Sequence, residues 1–330
     1  MPNTVLEVQD LHTHFNTREG VVKAVNGVSL TLKEDSILAL VGESGSGKSV
    51  TALSILGLLP FPGKVVQGKV IFNGKDLVSM DPEELRGIRG RDISMVFQDP
   101  RASLNPILPI GTQVQEILLA HQNISKKAAR QIAEDVLREV GLPDPKRVLD
   151  QYPFHLSGGM CQRVMISIAL ALRPKVLIAD EPTTNLDMTL QAEILDRLRK
   201  LARNNHASIL LITHDMGVVA GMADDVVVMY AGTVMEQAQV RTLYKHPAHP
   251  YTFSLFQAIP RLDDVSRRLQ TIRGAPPDMI NLPEECPFLP RCSKANNTCR
   301  LNPKPPLSEV EPGHSAACYN RVMFEYFEKE

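Results

Sequence analysis

The chain reads as an α/β protein whose mostly parallel sheet is covered by helices on both faces. Two observations predict this. Short, continuously apolar runs, among them Ile37–Val41, Val176–Asp180 and Ser208–Thr213, have the length and composition of strands buried on both sides. Longer stretches with helical periodicity lie between such runs, so strands and helices alternate along the chain.

Each element has its own signal. Residues 21–32 are rich in valine and alternate in places, which predicts a strand. Ile37–Val41 ends in a glycine-rich turn, and residues 48–59 follow as a helix. Residues 69–72 and 93–97 are further strands. The segment 125–140 is helical, with Ser125 as N-cap and Gly141 as stop. Residues 160–172 form a helix ended by Arg173-Pro174. A strand at Val176–Asp180, a helix over 188–203, and strands at Ser208–Thr213 and 224–230 complete the core. Beyond about residue 240 proline becomes frequent and periodicity fades, which predicts a small, loop-rich appendix.

Bulk composition narrows the function. The 330 residues are 43% hydrophobic and 22% charged, as a packed core requires. With 36 basic and 37 acidic residues the net charge is −1, which gives no support to a role coating nucleic acid or binding a membrane surface through a basic patch. No apolar run approaches bilayer-spanning length, and Met1-Pro2-Asn3-Thr4 has no secretory pattern. The expectation is a cytosolic chain that meets a membrane only through partners.

The chemistry begins at Gly42-Glu43-Ser44-Gly45-Ser46-Gly47-Lys48-Ser49, which matches G-x-x-x-x-G-K-[ST] between a strand and a helix. Its glycines let backbone N–H groups turn towards phosphate oxygens, and the helix start adds its positive end. Lys48 is placed on the β- and γ-phosphates and Ser49 on Mg²⁺. The strand Val176–Asp180 ends in Asp180-Glu181, at the edge where doubly wound folds bind ligands. Asp180 is expected to hold Mg²⁺ through its water shell and Glu181 to polarise the attacking water. Another strand ends in Thr213-His214, where His214 can reach the γ-phosphate and that water. An ordinary acidic strand end and a structural histidine are the competing readings of these two sites taken singly.

Leu156-Ser157-Gly158-Gly159-Met160-Cys161-Gln162-Arg163 resembles the ABC signature L-S-G-G-Q-x-Q-R. Phosphate loop, Gln98, signature, Asp180-Glu181, Thr184-Asn185-Leu186-Asp187 and His214 follow one another in the order of the ABC ATPase family, and the resemblance spans roughly residues 4–260. It implies a P-loop NTPase core, a β-rich N-terminal subdomain and a helical signature subdomain over about 100–172. Residues 1–240 would form the nucleotide-binding domain and 241–330 an extension. Phe15 resembles the aromatic that stacks on adenine, although a core-facing strand aromatic reads equally well. Gln98 resembles the glutamine that senses Mg²⁺ and water. Ser157, Gly158 and Gly159 would touch ATP held by a partner's loop, Asp187 would lie in the interface loop, and His214 resembles the switch histidine. Met160 departs from the usual glutamine, and Asn185 stands where a small residue is common. Cys161 reads as a buried, inert thiol.

A second phosphate-binding helix start has no use in a chain that already has a phosphate loop, so the resemblance implies a head-to-tail ATPase pair with two ATPs between. His246-Pro247-Ala248-His249-Pro250-Tyr251-Thr252 and Arg273-Gly274-Ala275-Pro276-Pro277 resemble the dipeptide/oligopeptide-importer branch. That branch implies two multispanning permease partners and an extracytoplasmic binding protein. The chain would then sit peripherally on the cytoplasmic face of the inner membrane, without nucleic acid. Nickel chelates, glutathione or another small solute are the alternative cargo, and a soluble non-transport ABC ATPase is the more distant reading. Cys286, Cys292, Cys299 and Cys318 are spaced C-x5-C-x6-C-x18-C. Four thiolates suit tetrahedral zinc or a [4Fe–4S] cluster, and free cysteines filling a small core are the third reading. The same branch includes cluster-bearing members, so the resemblance favours iron–sulfur.

Overall fold

The computed structural model describes residues 3–184, 186–258 and 271–322. In chain order, β1 (Thr4–Asn16) and β2 (Val21–Lys33) lead to β3 (Ile37–Val41), the phosphate loop and α1 (Lys48–Leu56). β4 (Gly63–Phe72), β5 (Lys75–Asp76), α2 (Pro82–Ile88) and β6 (Ile93–Val96) follow. The helices α3 (Pro100–Ser103), α4 (Ile110–His121), α5 (Lys126–Glu139), α6 (Pro145–Leu149) and α7 (Gly158–Leu170) then run consecutively. β7 (Val176–Asp180), α8 (Met188–Asn204), β8 (Ser208–Thr213), α9 (Met216–Met222), β9 (Asp225–Tyr230) and β10 (Thr233–Gln239) come next. The last described elements are α10 (Val240–Lys245), α11 (Pro250–Gln257), α12 (Asn297–Leu301), β11 (Ser308–Glu311) and β12 (His314–Ala316).

These elements fall into two compact units. The first comprises Met1–Leu6, Leu32–Ile37 and Ser79–Ile212. Its strands β6, β7 and β8 are parallel, with Ile93 beside Val176 and Val176 beside Ser208. All residues of β7 and β8 are buried, which is why Val176–Ala179 and Ile209–Ile212 within them read as unbroken apolar runs. The helix α5 buries Ala129, Ala133 and Leu137, one residue every four, and leaves its charges outside. Its start is fixed by Ser125, whose hydroxyl accepts the Ala128 N–H at 3.2 Å.

The second unit comprises Glu7–Thr31, Leu38–Val78 and Thr213–Glu330. Here β3 pairs in parallel with β9, β9 antiparallel with β10, and β10 with β12, which pairs with β11. A smaller sheet runs β2-β1-β4-β5. The helix after the phosphate loop stops three residues before the expected 59. Gly57 adopts φ 61° there, and its N–H caps the Leu53 and Ser54 carbonyls. The C-terminal segment is also less irregular than its prolines predict, since β11 and β12 continue the pairing from β10. Tyr230, Tyr251 and Phe288 form a buried triad with ring centroids 4.7–5.3 Å apart. Each such pair adds about 0.5–1.5 kcal/mol beyond area burial.

A polar knot fastens the same segment. Glu236 on β10 is fully buried. Its carboxylate accepts the Ala248 N–H at 2.6 Å, the His249 N–H at 2.9 Å and His314 Nε2 at 2.7 Å. Burial opposes protonation of His314, but its bonds to Glu236 and Glu311 outweigh that and raise its pKa above the ordinary 6.5. A raised histidine pKa stabilises the fold fully below the unfolded value, and that contribution is lost as pH rises through the folded one. Wild-type urea midpoints are therefore expected to fall from about pH 6 to about pH 9. A His314→Gln chain should lose that component of the slope. Glu236→Ala, which orphans three buried donors, should cost about 3–5 kcal/mol in the same measurement.

Candidate functional site

The second unit carries the phosphate loop. β3 delivers the chain into Gly42, whose φ of 153° and surroundings admit no side chain, because a Cβ there would stand 2.1 Å from the Met229 carbonyl oxygen. At Gly47, with φ 98°, a Cβ would stand 2.3 Å from the Ala24 carbonyl oxygen. The loop is thus pressed between β9 and β2 at two points that only glycine allows. The Gly232 N–H donates to Ser46 O at 3.0 Å and holds the loop from a third side. Lys48 is buried, and its Nζ donates to the Gly42 and Glu43 carbonyl oxygens at 2.9 Å each. The ammonium therefore stands over the concave side of the loop, the position from which it can reach phosphate. Ser44 and Gly45 are exposed at the loop's tip, and Ser49 lies in the first turn of α1.

Phe15, at the end of β1, is half-buried, and its ring packs on Gly63, where an added Cβ would lie 2.4 Å from Cε1. His214 follows β8 and is exposed. The next residue, Asp215, caps α9 by accepting the Gly217 and Val218 N–H groups, which fixes the chain leaving His214.

The first unit carries the carboxylates. Asp180 is the buried last residue of β7. Glu181 follows it with φ 45°, a left-handed conformation unusual for a side chain of this size. Its N–H is tied to Ile212 O at 2.9 Å. Gln98 Nε2 and Thr184 Oγ1 donate to the same Glu181 oxygen, Oε2, at 2.9 and 2.8 Å. The structure thus joins Gln98 and Glu181, which lie 83 positions apart, and adds Thr184, to which sequence reasoning assigned no role. The signal for Thr184 was its place three residues after Glu181, within reach of a turn.

The signature forms the start of α7. Ser157 is the N-cap, its Oγ accepting the Met160 N–H at 3.3 Å. Nothing lies within 4 Å of where a Cβ on Gly158 would stand, whereas one on Gly159 would meet Leu190. Cys161 is buried, its Sγ donates to Pro153 O, and burial raises its pKa, in keeping with an inert thiol. Asp187 caps α8, its Oδ1 accepting the Leu190 N–H at 2.9 Å. Asn185 lies outside the described residues.

The chain is similar to known proteins. A family model described as "ABC transporter" matches residues 25–184, and one described as "Oligopeptide/dipeptide transporter, C-terminal region" matches 235–299. The oligopeptide transport ATP-binding protein OppD of Haemophilus influenzae is 49% identical over 317 residues, 96% of this chain and 97% of its own length. The dipeptide transport ATP-binding protein DppD of Bacillus subtilis is 50% identical over 296 residues, 89% and 88% of the two chains. Among solved structures, the dimeric structure of MJ0796, a bacterial ABC transporter cassette, superposes with a TM-score of 0.65 at 29% identity. That match covers 72% of this chain and 99% of the other. The chain belongs to the ABC transporter family, among its dipeptide and oligopeptide ATP-binding proteins. It is an ATPase cassette, and no helix among its described residues is long and apolar enough to cross a membrane.

The four late cysteines of this ABC ATPase come from separate segments yet line one small cavity of about 20 Å³, together with His249. Burial pushes the Cys286 thiol up to about 11 and Cys318 up to about 12, and raises Cys292. Burial also lowers His249 to about 4, so its ring is neutral. Among the described residues no group of three or more His, Cys, Asp or Glu meets metal-holding geometry. The four thiols that the sequence assigned to a cluster or zinc thus converge on one cavity.

The shared oxygen of Glu181 generates a prediction. Thr184→Val removes one donor to it and leaves that from Gln98. A hydrogen bond to a charged group of this kind is worth about 1.5–3 kcal/mol. Steady-state ATPase assays should show kcat lowered about ten-fold or more with KM for ATP changed less than about two-fold.

Proposed function

We propose that this ATPase is the motor subunit of an importer for dipeptides or oligopeptides. One observation carries the reading: a single chain holds two helix starts suited to phosphate, the loop before α1 and the Ser157-capped start of α7, each in a different unit. ATP held by Gly42, Glu43, Ser44, Gly45, Ser46, Gly47, Lys48 and Ser49 of one subunit would be covered by Ser157, Gly158 and Gly159 of a second ATPase subunit in a head-to-tail pair. The dimeric cassette MJ0796 supports pairing. Phe15 is assigned to adenine and Asp187 to the interface loop.

In the proposed hydrolytic step Glu181 accepts a proton from the attacking water, with Gln98 and Thr184 orienting its carboxylate. His214 donates to the γ-phosphate. Ser49, Gln98 and Asp180 are the residues that would hold Mg²⁺, which when bound neutralises charge on the phosphate oxygens. ATP binding closes the pair and hydrolysis reopens it, driving alternating access in two multispanning permease subunits at the cytoplasmic face of the inner membrane. An extracytoplasmic binding protein delivers the peptide. Residues 1–240 are assigned to the nucleotide-binding domain, with its helical subdomain over about 100–172, and 241–330 to the importer-specific extension. The oligopeptide and dipeptide transport relatives and the match at 235–299 support peptides over nickel chelates or glutathione.

Gly158→Asp tests the shared grip, because the glycine's surroundings leave room for the side chain within one subunit. Mg-ATP should still bind with about wild-type affinity, while ATP-dependent pairing and hydrolysis fall at least about 100-fold. Unchanged turnover in the reconstituted complex would refute it.

A second reading concerns the cysteine cavity, where convergence of four thiols supports a [4Fe–4S] cluster, with zinc as the alternative. Cys286, Cys292, Cys299 and Cys318 would hold it after losing their protons, and the group would staple a proline-rich segment. Anaerobically purified chain should carry about four iron atoms and absorb near about 400 nm, both lost in Cys292→Ser. One zinc per chain selects the alternative, and sub-stoichiometric metal of either kind removes the reading.

A further inference from the structure

The phosphate loop contains a group that ought to repel its ligand. Glu43, its second residue, places a carboxylate beside a site built for a polyanion. The structure provides a countercharge from far along the chain. Arg291 Nη1 donates to Glu43 Oε2 at 2.6 Å and Nη2 to Oε1 at 3.0 Å, a bidentate fork. The side chains are only 6% and 23% exposed, so water screens the pair little.

Arg291 is itself held on every side. Its Nε donates to Arg273 O at 2.9 Å, Nη2 to Ile272 O at 3.3 Å and Nη1 to the Tyr230 hydroxyl at 3.1 Å. The guanidinium also lies over the Tyr230 and Phe288 rings, 5.7 and 6.0 Å from their centroids. Its rotamer is therefore fixed before any ligand arrives, and no ordering cost falls on binding. The backbone of Glu43 is gripped as well, since its N–H donates to the Tyr251 hydroxyl at 2.8 Å. Both side chains that hold this turn come from beyond residue 250, outside the segment carrying the nucleotide motifs.

We propose that Arg291 is a positioning residue for ATP: it cancels the Glu43 carboxylate inside the phosphate loop and, with Tyr251, fixes the loop's first turn against the C-terminal segment. This deepens, and rests on, the reading that the loop grips ATP. A lysine would supply the charge without the fork and without the stacked plane.

The test is titration of Mg-ATP into the full chain by calorimetry, with urea midpoints confirming folding. Arg291→Met should raise Kd for ATP about ten-fold or more, and the loss should be smaller for ADP, which carries less charge. Adding Glu43→Gln to Arg291→Met removes the exposed carboxylate and should bring Kd back to within about three-fold of wild type. A merely structural arginine predicts no such rescue. If Arg291→Met does not fold, Arg291→Lys replaces it, with an increase of about three-fold that Glu43→Gln again removes. The proposal is overturned if Kd is unchanged in the arginine variant, or if the double variant binds no better than the single one. A wild-type chain that bound no Mg-ATP would instead overturn the loop reading beneath it.

Discussion

A loop can aim its N–H groups at an anion only if its backbone occupies space and dihedrals that side chains forbid. Gly42 and Gly47 meet that constraint against the carbonyl oxygens of Met229 and Ala24. Those oxygens belong to β9 and β2, so the loop's shape is dictated by the packing of two strands that carry no nucleotide motif. The core around β3, β9 and β10, closed by Tyr230, Tyr251 and Phe288, keeps β9 in place. Burial energy in one part of the unit is thereby converted into geometry in another.

The same logic holds at the carboxylate. A left-handed Glu181 costs on the order of 1–3 kcal/mol and persists only where its surroundings over-determine it. Its N–H is anchored to β8, and its side chain is held from Gln98 and Thr184. The strain directs a carboxylate away from the strand it follows, which a relaxed extended residue would not do. Asp180, one residue earlier, stays in the strand and is buried.

How much of this was legible in the sequence depended on range. β3, β7 and β8 announced themselves as unbroken apolar runs because both their faces are covered. Ser125 and the phosphate-loop glycines announced themselves because capping and tight turns have local chemistry. β10 did not, since a fully buried Glu236 argues against a strand until His314, 78 positions later, is seen to meet it. β1 was harder to read because its alternation is interrupted at Gln9-Asp10, where both side chains are exposed and Asp10 takes φ 45°. Gln98 and Glu181 were each named, but their bond was not, and Thr184 was passed over because a threonine in a turn has no distinctive pattern. Arg291 could not be read at all, because its partner lies 248 positions away.

The proposed function requires the Gly42 to Ser49 loop to be a pre-shaped triphosphate cradle with Lys48 standing over its concave side. Calorimetric titration of Mg-ATP into wild-type chain and Lys48→Ala tests it, because the lysine's ammonium donates to the loop's own Gly42 and Glu43 carbonyl oxygens. The alanine chain should stay folded and lose about 100-fold or more in affinity. Equal affinity in the two chains would contradict it.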